Sequence, residues 1–119
     1  MKQQKANELS RERFGKFAQR YVSSQTHAQG PDLDRLTALA GAQEHERALD
    51  IATGGGHTAL RLASVAAQVV AVDITPEMLT NAQEFLVSQG VRNVRFVAAD
   101  AEALPFTDET YDLVTCRIA

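Results

Sequence analysis

The sequence predicts an α/β fold in which a parallel sheet of about four strands carries helices on both faces, preceded by N-terminal helices. Two patterns support this prediction. Short apolar runs alternate with amphipathic helical segments from residue 47 onward, which is typical of a parallel sheet. One run, Val69-Val70-Ala71-Val72, is apolar without interruption, as a strand covered on both faces requires.

The composition is that of one globular domain. The chain has 119 residues, of which 45% are hydrophobic and 23% charged, so it can build a core. Its net charge of −3 comes from mixed charges without the basic stripe that binds nucleic acid. The single cysteine, Cys116, excludes an internal disulfide. The N-terminus lacks a signal-peptide core and no apolar stretch could span a membrane, so we expect a cytoplasmic protein.

Residues 1–46 are predicted to be a helical extension. Apolar residues recur there at spacings of three and four, which predicts one apolar stripe on a charged helix. They are Phe14, Phe17, Ala18 and Tyr21. Gly30-Pro31 interrupts this segment, and a second short helix follows.

Residues 47–119 are predicted to alternate strands and helices. Thr75 is the expected N-cap of the second helix, with Pro76 at its first position. In chain order, the predicted elements are a strand at 48–52, a helix at 57–68, a strand at 69–72, a helix from 76 to about 90, a strand at 94–98 and a strand at 111–118.

Acidic residues stand near the ends of three predicted strands. Asp50, Asp73 and Asp100 lie at or near carboxyl ends, the edge at which parallel sheets bind ligands. The loop Gly54-Gly55-Gly56 follows the first strand, and glycines let the main chain turn sharply and approach a ligand closely. Amides at a helix start can also hold an anionic or carboxylate group. A plain flexible turn is the alternative interpretation.

The second strand end predicts a ribose and base site. Asp73 can accept both hydroxyls of a ribose; a capping role is less favoured because Thr75 can already cap the helix. Ile74 and Met78 could sandwich a flat base, although plain core packing accounts for Met78 equally well.

Asp100 is a natural acceptor for an exocyclic amine such as that of adenine, and the amide of Ala101 could donate to a ring nitrogen. An ordinary turn role for Asp100 stays open.

Asp50, within or at the end of the first strand, needs partners if it is ionised. It could anchor the glycine-loop amides or reach a cofactor's amino group through water. His57 is interpreted as a solvent-facing or capping residue, and no cluster has metal-ligand spacing.

Two adenosyl ligands fit this pattern. Gly54-x-Gly56-x-x-Ala59 formally satisfies the dinucleotide fingerprint, so an NAD-binding oxidoreductase domain is a competing prediction. Asp50 before the glycines and Asp100 beyond them make the site negative. Such a site favours S-adenosylmethionine, which carries a sulfonium and an ammonium, over a pyrophosphate.

Four segments occur in one order: ALDIATGGGHTALRLA, VVAVDITPEML, VRFVAADAEALPF and YDLVTCRIA. Together they resemble the class I S-adenosylmethionine-dependent methyltransferases, in particular the small-molecule branch related to quinone biosynthesis. The resemblance implies a Rossmann-like cofactor-binding half-domain at 47–119 and in-line methyl transfer to a small-molecule acceptor. It implies that the cofactor is bound by Asp50, Ala52, Gly54, Gly55, Gly56, Asp73, Ile74, Met78, Asp100 and Ala101.

Three further features bear on the site. The family usually has glycine where this chain has Ala52, which is tolerable if Ala52 keeps ordinary β dihedrals. Tyr21 and the N-terminal helix resemble a lid over the site, with a helix packed on the sheet as the equal alternative. Cys116 points toward the substrate side, although a small buried hydrophobe is its plainer interpretation. No catalytic base is identified.

The family's sheet is seven-stranded, which leaves the chain short of strands. The segment 111–116 would then be an exposed apolar edge that favours association. We therefore expect a truncated product that binds the cofactor weakly and forms a homodimer or strand-swapped oligomer through its last strand. A non-catalytic interaction module on the same scaffold is the remaining alternative.

Overall fold

The structure is a computed structural model that describes residues 18, 20–24, 30–100, 103–106 and 111–117. These residues form one sheet and three helices. The strands are β1 (Arg20–Ser24), β2 (Arg47–Ile51), β3 (Gln68–Asp73), β4 (Val94–Ala98) and β5 (Leu113–Arg117), and the helices are α1 (Gly30–Ala40), α2 (His57–Ala63) and α3 (Pro76–Ser88).

All strand pairs are parallel, in the order β1-β5-β2-β3-β4. Helix α2 connects β2 to β3, and α3 connects β3 to β4. The parallel sheet predicted from the alternating pattern is therefore confirmed. Because all strands point the same way, their carboxyl ends meet at one edge of the sheet.

Successive strand residues point to opposite faces of the sheet. On the helix-covered face, apolar side chains of the strands pack against residues of all three helices, including Ala40, Leu62 and Leu86. On the opposite face, the core is completed by loop residues, among them Ala18 and Tyr111. The three described helices thus pack on one face, and described residues of the connection from β4 to β5, namely Ala99, Leu104 and Phe106, pack on the other.

Helix α2 is shorter than the predicted helix at 57–68, because side-chain hydrogen bonds satisfy the carbonyl groups at its carboxyl end. The side-chain amide of Asn93 donates to the carbonyl oxygens of Ala63 at 2.9 Å and Ala66 at 3.2 Å. The Ser64 hydroxyl donates to the Arg61 carbonyl at 2.7 Å. The chain then leaves the helix, and Gln68 already begins β3.

Helix α3 begins where the sequence predicts, with Pro76 in its first turn and Thr75 at the N-cap position. The Thr75 side chain makes no capping hydrogen bond. Its backbone N–H donates instead to the Asp73 carboxylate at 3.0 Å. The Asp73 carboxylate therefore binds an N–H group at the start of α3, whereas the sequence predicts the Thr75 side chain as the capping group.

The segment 20–24 is strand β1, and its prediction as helix is wrong. Tyr21 pairs with Val114 of β5, and Val22 pairs with Thr115. Aromatic and β-branched residues favour a pleated strand, and the open side of β5 supplies backbone partners that a surface helix would not use. Phe14 and Phe17 lie outside the described residues.

Strand β5 is an interior strand, so the predicted exposed edge is also wrong. Val114 pairs with Tyr21 on one side and with Leu49 of β2 on the other. The predicted dimer through this strand stays a prediction, and it loses the open edge from which it was inferred.

An ion pair fastens β1 to the turn that precedes β2. The guanidinium of Arg20 donates to both carboxylate oxygens of Glu46, each at 2.8 Å, and its Nε donates to the Ala40 carbonyl at 3.2 Å. The Gln43 N–H also donates to Glu46, at 2.7 Å. These donors, Arg20 above all, lower the pKa of Glu46 to about 2 despite its burial.

The described helices include none that is long and apolar enough to cross a membrane.

Candidate functional site

A cleft of about 140 Å³ opens at the carboxyl ends of the middle strands, where two of the three acidic residues of the sequence pattern, Asp73 and Asp100, converge. Its lining is Ile51, Ala52, Val72, Asp73, Ile74, Ala99 and Asp100. Four of these, Ala52, Asp73, Ile74 and Asp100, are site residues that the sequence predicts. The structure therefore brings together side chains from three strand ends.

Asp73 is the polar centre of the cleft. One carboxylate oxygen accepts the N–H of Gly54 at 2.9 Å, and the other accepts the N–H of Thr75 at 3.0 Å. A carboxylate offers about four acceptor sites, so two stay available for a ligand. Asp73 thus positions the glycine loop and can still bind the two hydroxyls of a ribose.

The three glycines of the loop have different physical roles. Gly56 has φ +89°, and a Cβ there would lie 2.7 Å from Cδ1 of Leu86 and 3.1 Å from Cβ of Ala82. It is required because α3 packs directly on it. Gly54 has φ +55°, and its N–H holds Asp73.

Gly55 differs from its neighbours, since the nearest atom to a Cβ there is on the His57 ring at 3.4 Å. Of the three glycines, it is the one whose backbone and surroundings leave room for a side chain.

Ala52 occupies the left-handed region of the backbone, with φ +58°. The ordinary β dihedrals that would make alanine tolerable at this position are therefore not present. The Thr53 N–H donates to the Val72 carbonyl at 2.9 Å, which ties the loop to β3 immediately after Ala52. The turn at Ala52 therefore carries the strain of a non-glycine residue at positive φ, inside the cleft itself.

Asp50 lies behind the loop and not in the cleft. It is 1% exposed and faces the helix-covered side of the sheet, whereas Ile51, the next residue, lines the cleft. Its two carboxylate oxygens accept the hydroxyl of Thr53 at 2.7 Å and that of Thr115 at 2.8 Å. The negative charge at the cleft thus comes from Asp73 and Asp100.

Ile74 and Met78 provide apolar surface beside Asp73. Ile74 lines the cleft with its side chain 66% exposed, and Met78 is 38% exposed. The Met78 methyl group lies 3.9 Å from the position of a Cβ on Gly54, so this side chain covers the glycine loop. Of the two predicted base contacts, Ile74 lines the cleft and Met78 is not among its lining residues, and contact with a base stays a prediction for both.

Asp100 is exposed at the rim of the cleft, two residues after β4. Ala101, its predicted partner in reading adenine, lies outside the described residues. Sequence reasoning missed three lining residues, Ile51, Val72 and Ala99. The first two could have been found, because they occupy equivalent positions at the ends of paired strands.

The structure places Tyr21 and Cys116 in or against the core on the face opposite the helices. Cys116 is buried, and its burial and the nearby Asp50 charge raise the pKa of its thiol to about 12. This is the small buried hydrophobe of the plainer interpretation. His57 is exposed at the start of α2, with its ring 4.8 Å from that of Phe85.

The described part of the chain holds no group of three or more histidine, cysteine or acidic residues that could bind a metal ion.

Comparison with known proteins agrees with this geometry. Residues 48–119, from β2 onward, match the family described as "Methyltransferase domain". The chain is 41% identical over 106 residues to the methyltransferase YcgJ of Bacillus subtilis, covering 89% of this chain and 42% of YcgJ. Its crystal structure superposes with a TM-score of 0.69 over 71% of this chain and 36% of that one.

Two further methyltransferases are also similar to this chain. The ubiquinone/menaquinone biosynthesis C-methyltransferase UbiE of Azotobacter vinelandii is 43% identical over 81 residues, which cover 65% of this chain and 32% of UbiE. The structure of a SAM-dependent methyltransferase from Aquifex aeolicus has a TM-score of 0.63 at 26% identity, covering 71% of this chain and 47% of that one.

The chain thus spans less than half the length of these relatives. The match covers more than half of the chain and includes both the glycine loop and Asp73. It confirms the resemblance predicted from the motifs and favours it over the nicotinamide alternative. The chain belongs to the methyltransferase domain family.

Proposed function

We propose that this chain is the cofactor-binding part of an S-adenosylmethionine-dependent methyltransferase that acts on a small-molecule acceptor. The observation that carries the proposal is the placement of Asp73, which lines the cleft beside the exposed Ile74 and at the same time holds the amide of Gly54. The Aquifex relative is described as SAM-dependent, and the same fold positions these residues here.

The chemistry of the cleft suits an adenosyl group. The cleft of about 140 Å³ is lined mainly by apolar side chains, with the two carboxylates Asp73 and Asp100 among them. The available acceptor sites of Asp73 suit the adjoining ribose. Ile74 exposes apolar surface that a base would cover, and covering such surface is favourable.

Methyl transfer requires little acid–base catalysis by the protein. The cofactor, when bound, would supply a methyl group activated by its sulfonium, and transfer of this group to the acceptor's nucleophile would break the carbon–sulfur bond and leave its electrons on sulfur. The chain's contribution is orientation: Asp73 fixes the ribose, Ile74 fixes the base, and the loop at Gly54 limits how far the donor can shift. A proton leaves the nucleophile only if it carries one.

The acceptor is proposed to be a small molecule because UbiE, as its name states, is a C-methyltransferase of quinone biosynthesis. The net charge of −3 also disfavours a nucleic-acid acceptor. The buried, protonated Cys116 thiol is compatible with a reducing compartment, in line with a cytoplasmic location.

Calorimetric titration of the chain with S-adenosylhomocysteine and, separately, with NAD tests the proposal. We expect binding of the first and none of the second. Binding of NAD alone would support an oxidoreductase domain, and binding of neither would support a non-catalytic module.

A matched pair of surface variants tests the base contact. Ile74→Ser should weaken S-adenosylhomocysteine binding about tenfold, because it removes one apolar side chain from the base. Val87→Ser, at a side chain that is also 66% exposed, should leave the affinity unchanged. Equal affinities for the two variants would contradict the placement of the base.

A second pair tests the ribose contact. Asp73→Asn should reduce affinity by about a hundredfold or more, because it removes a charged acceptor and disturbs Gly54. Asp34→Asn removes an exposed carboxylate that pairs with Arg61 outside the cleft, and it should bind as the unmodified chain does.

A further inference from the structure

Thr115 is a fully buried hydroxyl in the middle of the sheet. It lies on β5, directly opposite Asp50 of β2 in the strand register, and its side chain is 0% exposed. The hydroxyl donates to Asp50 Oδ1 at 2.8 Å. A buried hydroxyl and a buried carboxylate each need such a partner, because neither can bind water at this depth.

The second oxygen of the same carboxylate holds the start of the glycine loop. Thr53 donates its hydroxyl to Asp50 Oδ2 at 2.7 Å. The two donors thus bind the two oxygens of one carboxylate, one from β5 and one from the loop. Loss of the Thr115 donor would remove the hydrogen bond that β5 makes to this carboxylate.

Thr53 in turn determines where the loop runs. Its N–H donates to the Val72 carbonyl at 2.9 Å, and its own carbonyl accepts the N–H of Gly56 at 3.0 Å. The residues on either side of it, Ala52 and Gly54, are the ones that line the cleft or hold Asp73. A shift of the Thr53 side chain would therefore move the ligand-facing part of the loop.

We propose that Thr115 is a positioning residue for cofactor binding, acting through Asp50 on Thr53 and so fixing the glycine loop. Thr115 does not itself line the cleft. The inference rests on the proposed function, because it takes the cleft to be the cofactor site. Of the two roles that the sequence left open for Asp50, anchoring the glycine loop or reaching the cofactor's amino group, it favours the first.

Three variants separate this role from a merely structural one. Thr115→Val keeps the shape and removes the donor, and we expect about a tenfold weaker affinity for S-adenosylhomocysteine. Thr115→Ser keeps the donor and should retain the unmodified affinity, even though it loses a buried methyl group and unfolds at a lower urea concentration. Thr37→Val removes a hydroxyl that bonds the Leu33 carbonyl at 2.7 Å within α1, away from the cleft, and should not alter affinity.

A double-mutant cycle identifies the route of the effect. If Thr115 acts through Asp50 on Thr53, then Thr115→Val should have little further effect on affinity in a Thr53→Val background. Additive losses, or an unchanged affinity in Thr115→Val, would overturn the inference. If Thr115→Val does not fold, Thr115→Ser decides: lowered stability with unmodified affinity supports the positioning role, and a weakened affinity overturns it.

Amide hydrogen exchange in the ligand-free chain keeps this test independent of the proposed function. Thr115→Val should speed exchange at Gly54 and Gly56 while leaving Leu62 of α2 protected. Unchanged exchange at the loop overturns the positioning role. Failure of the unmodified chain to bind S-adenosylhomocysteine overturns the proposed function instead, whatever the exchange result.

Discussion

Arg20 and Glu46 form a two-point ion pair, with both guanidinium end nitrogens 2.8 Å from the carboxylate oxygens. The pair joins an early strand of the chain to the turn before β2. Glu46 is buried, so the same contact that fastens β1 also satisfies a carboxylate that has little access to water.

The stability gained from this pair should depend on pH. The pKa of Glu46 is lowered from its ordinary value of 4.5 to about 2 in the folded chain. The contribution is therefore fully present above about pH 4.5 and is lost as the pH falls toward 2. Glu46→Gln should reduce the free energy of unfolding by about 1 to 2 kcal/mol at pH 7, and the difference should shrink by pH 3. Urea titrations measure it, with exposed Glu84→Gln as the control.

Ala52→Gly should stabilise the fold. Alanine at φ +58° costs about 1 to 2 kcal/mol relative to a residue without a Cβ, and the greater freedom of glycine in the unfolded chain offsets part of this. We expect a net gain of about 0.5 to 1 kcal/mol in the free energy of unfolding. Ala98→Gly, at an exposed position in β4, should lose stability instead. A loss at both positions would show that Ala52 is not strained.

Gly56→Ala should be much more damaging than alanine at another positive-φ glycine. At Gly90, φ is +76° and a Cβ would meet no atom within 4 Å, so Gly90→Ala should cost only the backbone strain, about 1 kcal/mol. At Gly56 the same strain is joined by a clash with Leu86, and we expect a loss of about 3 kcal/mol or more. Thermal or urea unfolding compares the two, and equal losses would exclude the clash.

Removal of β1 should make the chain associate. A chain that starts at residue 25 leaves the backbone groups of β5 without their partners from β1, so another chain can pair with them. Sedimentation should show concentration-dependent self-association for this truncation. A chain that starts at residue 18 keeps β1 and should sediment as the full chain does. Identical behaviour of the two truncations would contradict a protective role for β1.

The sequence predicted the strand ends well because local pattern determines them. Asp73 and Asp100 follow apolar runs, and parallel pairing brings such ends to one edge, where the cleft lies. The sequence left two roles open for Asp50, anchoring the glycine loop or reaching the cofactor's amino group, and the side of the sheet that it faces stayed undetermined. The alternation of Leu49, Asp50 and Ile51 carries the missing signal, because neighbours on a strand face opposite sides.

Two features depend on contacts with residues elsewhere in the sequence, which the local sequence pattern does not show. Strand β1 exists because β5, far away in the chain, offers it a partner, and this pairing overrides the helical spacing around Tyr21. The positive φ of Ala52 occurs next to the bond from Thr53 to Val72 on the neighbouring strand. Neither partner could be identified from the residues next to it.

The position of β5 between β1 and β2 has a consequence for folding kinetics. Strands β2, β3 and β4 are linked by short crossovers, so they can pair while the chain is still being synthesised. Strand β1 must wait until residues 113–117 have emerged, since its described partner strand is β5. The slowest closure in this sheet should therefore join its most distant segments, β1 and β5. The glycine loop should reach its final position only when β5 has paired with β2 and Thr115 meets Asp50.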